Sequence, residues 1–179
     1  MELFTEKQTS TFGALKSVFG YTNVLESPRV KKVVVSTGTG KIADKKKVEV
    51  IQDRLAKITG QKAAPRGAKK SIATFKVRQG DIIGYQVTLR GKRMHDFLDR
   101  LVHIALPRTR DFRGLSVEAI DEMGNITIGI REHTIFPETS DEEQKDIFGL
   151  SVTIVTTAKS KAEAEALLRH IGFPLKKPE

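Results

Sequence analysis

The sequence predicts an α+β fold, a single domain over residues 1–179 with a largely antiparallel sheet and flanking helices. Three observations point there. Apolar residues recur at helical spacing in several well-separated segments. Between them stand β-branched or alternating runs such as Val30–Ser36, Tyr85–Arg90 and Leu150–Thr156. Most of these runs are joined as hairpins or follow helices irregularly, without the strict strand–helix alternation of a doubly wound sheet, and no long linker divides the chain.

Taken in order, Phe12, Leu15, Val18 and Phe19 form one helical stripe that ends at Gly20. Ser27-Pro28 breaks the chain before the strand Val30–Ser36, and Thr37–Gly40 reads as a turn. Asp44 is placed to N-cap a helix whose apolar residues are Val48, Ile51, Leu55 and Ile58, with Gly60 at its C-terminal end. Ile72–Val77 and Tyr85–Arg90 read as a hairpin around RQGDIIG, with Phe75 facing the core. In the second of these, Tyr85, Val87 and Leu89 alternate with Gln86, Thr88 and Arg90, so one face is apolar and the other polar. Met94, Phe97, Leu98, Leu101 and Ala105 predict an amphipathic helix that stops before Pro107. An arginine-rich loop, Arg108–Gly114, precedes a second hairpin, Ser116–Ile120 with Ile126–Ile130. An acidic loop follows, then the strand Leu150–Thr156 and a helix capped by Ser160 and stopped by Gly172.

Composition narrows the function. The chain of 179 residues carries a net charge of +9, which favours a polyanionic partner. It has no cysteine, which excludes disulfides, thiolate zinc sites and thiol catalysis and fits a cytoplasmic protein. No apolar run approaches the ~20 residues of a bilayer span, and the N-terminal segment lacks the pattern of a secretory signal, so no membrane partner is expected.

The charges are sorted along the chain. Gly60–Gln79 holds six Lys or Arg and no acid, and Arg29–Lys47 holds seven against Asp44 alone. Glu118–Asp146 holds nine acids against Arg131 and Lys145. A loop of one sign lacks internal partners, so its natural partner is external. A polyphosphate fits best, since each neutralised phosphate releases counterions. The bland alternative is a solvated basic face. Two surfaces of opposite sign imply two kinds of partner.

Enzyme readings find little support. Gly38-Thr39-Gly40-Lys41-Ile42-Ala43 matches a loose dinucleotide fingerprint, but the acid expected about 20 residues on is replaced by Thr59–Lys62, a helix end and a basic loop. The four histidines, His95, His103, His133 and His170, lack metal-ligand spacing, and no nucleophile elbow occurs. No cofactor, metal or catalytic residue is predicted. With Phe75 turned inward, base stacking is not the obvious mode of RNA binding. Phosphate and 2′-hydroxyl contacts from Lys, Arg, Gln and Thr fit better.

Several long motifs then carry a resemblance. TGQK (Thr59–Lys62), AKKSIATFKVRQG (Ala68–Gly80), VTLRGKRMHDFLDRL (Val87–Leu101), IALPRTRDFRGL (Ile104–Leu115) and FGLSVTIVTTAK (Phe148–Lys159) are collinear. With FGYTNV (Phe19–Val24) and the closing GFP (Gly172–Pro174), the chain resembles bacterial large-subunit ribosomal protein five over nearly its whole length. The resemblance implies that family's α+β fold and a structural, non-enzymatic role in the central protuberance of the large ribosomal subunit. It implies 5S rRNA, 23S rRNA, P-site tRNA, small-subunit ribosomal protein thirteen and other 5S rRNA-binding ribosomal proteins as partners. The alternative on the same RNA-binding face is a transient assembly or translation factor.

Carried over residue by residue, the resemblance implies 5S rRNA contacts at Gln61, Thr88 and Arg90. Ser36 stands where the family usually has Asn, with a shorter reach and no amide pair. The tRNA-proximal loop corresponds to Pro65–Ser71, with Arg66, Lys69, Lys70 and Ser71; Thr74 replaces the usual Gly nearby. The acidic residues Asp141, Glu142 and Glu143, with Arg108, Arg110 and Arg113, are the expected inter-subunit contact, because acids are poor partners for RNA and suit a basic neighbouring protein.

Overall fold

The order of elements in the computed structural model follows from local sequence chemistry, and the structure describes residues 4–40, 42, 44–139 and 147–176. Helix α1 (Phe4–Phe19) is followed by a 3-10 turn (Val24–Glu26) and strand β1 (Val30–Gly38). Then come α2 (Lys45–Thr59), β2 (Ala64–Gly67), β3 (Ile82–Leu89) and α3 (Gly91–Arg100), which runs on into a π-helical turn, Leu101–Ala105. The chain closes with β4 (Ile126–Ile130), β5 (Leu150–Thr156) and α4 (Lys161–Ile171). The strands form one five-stranded antiparallel sheet in the order β2-β3-β1-β5-β4. The predicted α+β class holds.

The chain divides into two compact units. One comprises residues 4–33, 89–128 and 153–176. Here α1 packs on α3 and α4, around Phe4, Leu15, Phe97, Leu98, Leu167 and Leu168. Helix α4 begins where Ser160 Oγ, its N-cap, accepts from Glu163 N, while Glu163 Oε2 accepts from Lys159 N, one residue before the cap, at 2.6 Å. The Tyr21 hydroxyl donates to Glu163 Oε1, which fixes that buried carboxylate from a second side.

The other unit comprises residues 34–88 and the described parts of 129–152. Helix α2 buries Ile51, Leu55 and Ile58 and packs on the 3-10 turn Pro137–Thr139. Its ends are those the sequence predicts. Asp44 Oδ1 accepts from Lys46 N at 2.9 Å, and Gly60 takes a left-handed conformation, φ 67°, that costs glycine least. Val35, Val87 and Val152 are buried in the strands, and His133 lies flat on Phe148 with centroids 4.2 Å apart.

Several expectations need correction. Ile72–Val77 is not a strand. It folds into a 3-10 turn (Ala73–Phe75) with Lys76 left-handed at φ 52°, closed by Ile72 N to Val77 O at 2.9 Å and the reverse bond at 3.3 Å. The strand partner of β3 is Ala64–Gly67, in register Ala64↔Gln86, Pro65↔Tyr85 and Arg66↔Gly84. Proline is tolerated because β2 lies at the edge of the sheet. The basic segment Pro65–Ser71 therefore starts as a strand and becomes a loop only after Gly67. Phe75 does not face the core; it is 68% exposed.

Ser116–Ile120 is likewise a 3-10 turn with a single bridge, Ile120↔Ile126. Ser116 Oγ accepts from Glu118 N, and this local bond replaces a ladder bond. Val18, expected on the apolar stripe of α1, is 70% exposed. Thr37 and Gly38 continue β1 and are not part of a turn. Asp141, Glu142 and Glu143 lie outside the described residues.

Candidate nucleic-acid interface

Strand alternation builds the surface. In β1, Val33, Val35 and Thr37 are buried, while Val34 and Ser36 are half-exposed. In β3, Tyr85, Val87 and Leu89 are buried, while Gln86 and Thr88 are half-exposed. In β5, Leu150 and Val152 are buried and Ser151 is half-exposed. With period 2, Ser36, Gln86, Thr88 and Ser151 share the face turned away from the core.

These residues are joined by hydrogen bonds. Ser36 Oγ and Ser151 Oγ are 2.9 Å apart, and Arg66 Nε donates to Gln86 Oε1 at 2.6 Å. Ser36, Gln86, Arg66 and Ser151 border an open hollow of about 580 Å³, with Gly38 and Gly84 also in its lining. Gly84 is there for a steric reason: a Cβ on it would stand 2.6 Å from Thr37 O, well inside contact distance. The hollow offers hydroxyls, an amide, a guanidinium and bare backbone. That set suits ribose hydroxyls, base edges and phosphates, and it contains no acid that would repel them.

Gln61 follows the left-handed Gly60 and is half-exposed; Thr59 Oγ1 donates to its backbone carbonyl at 3.1 Å. The antiparallel register then leads the chain from Gln61 into β2 alongside the end of β3 that carries Thr88. Gln61 and Thr88 do not line the hollow itself. Arg90 belongs to the other compact unit, where it stands exposed at the position preceding α3 without capping that helix through its side chain.

In the basic segment, Arg66, Lys69, Lys70 and Ser71 are all exposed, and Ser71 Oγ accepts from Gln79 N at 2.9 Å. Backbone bonds close the base of this excursion: Ala68 N to Asp81 O at 2.8 Å and Gly80 N to Ala68 O at 3.0 Å. Arg108, Arg110 and Arg113 are exposed, around an Asp111 with φ 54°. Of the residues that reasoning from sequence did not select, Ser151 was accessible through the alternation of LSVTIVT, and Phe75 was not.

The competing nucleotide loop loses its chemistry. The N–H groups of Thr39 and Gly40, which would hold a phosphate, both donate to Ile83 O at 2.9 and 3.1 Å. The N-terminus of α2 is already occupied by the Asp44 carboxylate. Among the described residues, no group of three or more His, Cys, Asp or Glu could hold a metal ion. No helix of the described chain is long and apolar enough to cross a membrane.

Fold and surface together define a basic α+β protein with a polar sheet face whose donors and acceptors suit a polyanion. Comparison with known proteins gives the family. Residues 23–78 match the model of ribosomal protein L5, and residues 82–175 match the model of that ribosomal family's C-terminus. The large ribosomal subunit protein uL5 of Flavobacterium johnsoniae is 47% identical over 173 residues, covering 96% of this chain and 94% of that one. That of Anaeromyxobacter sp. (strain K) is 50% identical, with 90% and 91% covered, and that of Trichlorobacter lovleyi is 49% identical, with 94% and 95% covered. The chain belongs to the ribosomal protein L5 (uL5) family, whose members are structural and non-enzymatic.

Proposed function

We propose that this protein is a structural component of the large ribosomal subunit that binds 5S rRNA, with residues 1–179 acting as one RNA-binding domain. The observation that carries this is the polar face of β1, β3 and β5, where Ser36, Gln86, Thr88 and Ser151 stand half-exposed over a buried apolar layer. Ser36, Gln61, Thr88 and Arg90 are the proposed 5S rRNA contacts. Serine at position 36 is already bonded to Ser151, so any contact it makes to RNA exchanges or shares that bond.

The remaining partners follow from charge and from the family. The exposed Arg66, Lys69, Lys70 and Ser71 meet P-site tRNA. Other basic surface, including Arg29 and Lys31, serves 23S rRNA in the central protuberance, beside other 5S rRNA-binding ribosomal proteins. Arg108, Arg110 and Arg113, with Asp141, Glu142 and Glu143, meet small-subunit ribosomal protein thirteen.

The test compares two kinds of contact in 5S rRNA binding by the full chain. Arg90→Ala is expected to weaken binding by about 1–3 kcal/mol, the worth of a charge-assisted hydrogen bond. Gln61→Ala is expected to lower affinity while leaving the salt slope unchanged, because no phosphate charge is lost. Folded variants that bind 5S rRNA as tightly as the parent would refute Gln61 and Arg90 as 5S rRNA contacts.

A further inference from the structure

Phe75 is the one exposed aromatic ring among the described residues; the other phenylalanines and both tyrosines are buried or partly covered. An aromatic ring at 68% exposure forgoes much of the free energy that burial would give it. Nor is it carried on an unstructured tip. Its 3-10 turn is closed by the reciprocal Ile72–Val77 bonds and by Lys76 N to Ala73 O at 3.0 Å. The segment beneath is tied by the Ala68–Asp81 and Gly80–Ala68 backbone bonds and by Asp81 Oδ2 accepting from Arg78 N at 2.7 Å. The ring is thus held out on a constrained backbone.

Its surroundings in sequence favour one class of occupant. Lys69, Lys70, Lys76 and Arg78 are exposed in the same excursion, and the single acid, Asp81, is engaged by backbone. An apolar ring set among cations, with exposed Ile72, fits a nucleobase flanked by phosphates. A protein surface would need acids to match the cations and an apolar pocket to take the ring.

We infer that Phe75 is a stacking platform for an unstacked nucleobase at a turn of a folded RNA, with Lys69, Lys70 and Lys76 on the flanking phosphates. This rests on the proposed reading in which the basic excursion meets tRNA, and it adds to that reading a base contact where charge alone would give only phosphate contacts. Every base has a π-face, so such a contact tolerates any base at that position and suits a protein that must accept many tRNAs.

The test uses large subunits carrying the full-length chain with Phe75→Ala, Phe75→Leu or Phe75→Trp. Retention of P-site tRNA is expected to fall about tenfold with Ala and Leu, the scale of one lost base–aromatic stack, and to be kept with Trp. Affinity of the free chains for 5S rRNA is expected to stay unchanged throughout. Because the sequence contains no tryptophan, Phe75→Trp introduces a lone indole. Its emission is expected to be quenched by a tRNA transcript and not by a fully paired RNA duplex.

Leu holding tRNA as well as Phe, or equal quenching by the duplex, would overturn the platform. So would unchanged tRNA retention with weakened subunit association, which would assign the ring to a protein partner. Failure of Gln61→Ala and Arg90→Ala to lose 5S rRNA binding, with the Phe75 series behaving as expected, would leave the platform standing and refute only the 5S assignment.

Discussion

At the scale of single residues, two positions carry more than their size suggests. Gly84 lets β3 approach β1 so closely that a methyl group would collide with Thr37 O. Gly84→Ala is expected to destabilise the protein by about 1–3 kcal/mol, the usual cost of forcing backbone apart, read from the midpoint of urea unfolding. Tyr21 is the second. Burial first, then its hydrogen bond to Glu163 and the negative charges of Glu163 and Glu26, push its ionisation far above the ordinary 10.0. The folded state therefore holds the phenolic proton more tightly than the unfolded chain does. That contribution to stability is complete below pH 10.0 and is lost as pH rises towards the folded-state value. The difference in unfolding free energy between the parent and Tyr21→Phe is expected to be constant below about pH 9 and to shrink above about pH 10.

Among the elements, α2 shows how far local signals reach. Its N-cap and its glycine stop are both where the sequence predicts them, because capping is a matter of a few neighbouring atoms. Lys45, Lys46 and Lys47 crowd its first turn, where the helix dipole disfavours cations. Asp44→Ala is therefore expected to cost about 1–2 kcal/mol, as a lost cap bond and a lost counter-charge, measured by thermal unfolding. Strand pairing was less legible. Ile72–Val77 has a better β-strand composition than Ala-Pro-Arg-Gly, yet Ala64–Gly67 pairs with β3. An edge position asks little of intrinsic propensity, and the choice of partner depends on where the preceding helix delivers the chain.

For the molecule as a whole, sorted charge is the property that acts at a distance. A net charge of +9 favours approach to a polyanion, and in the proposed function the sheet face would then supply the neutral groups that distinguish one RNA surface from another. Replacing Lys69 and Lys70 by glutamine is expected to reduce the salt slope of tRNA binding by about 1.8, near 0.9 for each phosphate released. The slope for 5S rRNA is expected to stay as in the parent. Equilibrium titrations over a range of salt measure both.

What the sequence by itself determined was whatever repeats with a short period or acts between neighbours. Helices α1 to α4, the strands β1, β3, β4 and β5, the helix stops at Gly20, Gly60 and Gly172 and the polar parity of Gln86 and Thr88 are all of this kind. The absence of cysteine and the one-sign basic run also needed no coordinates. Only the tertiary structure decided the partner of β3, the demotion of Ile72–Val77 and Ser116–Ile120 to 3-10 turns, the meeting of Ser36 with Ser151, and the outward turn of Phe75. Each depends on which distant segment occupies a given edge or face in the folded chain. Phe75 looks apolar and alternates correctly, so its sequence context favours burial. Once Ala64–Gly67 occupies the edge of β3, the segment that carries the ring must turn back on itself, and the ring is left facing solvent.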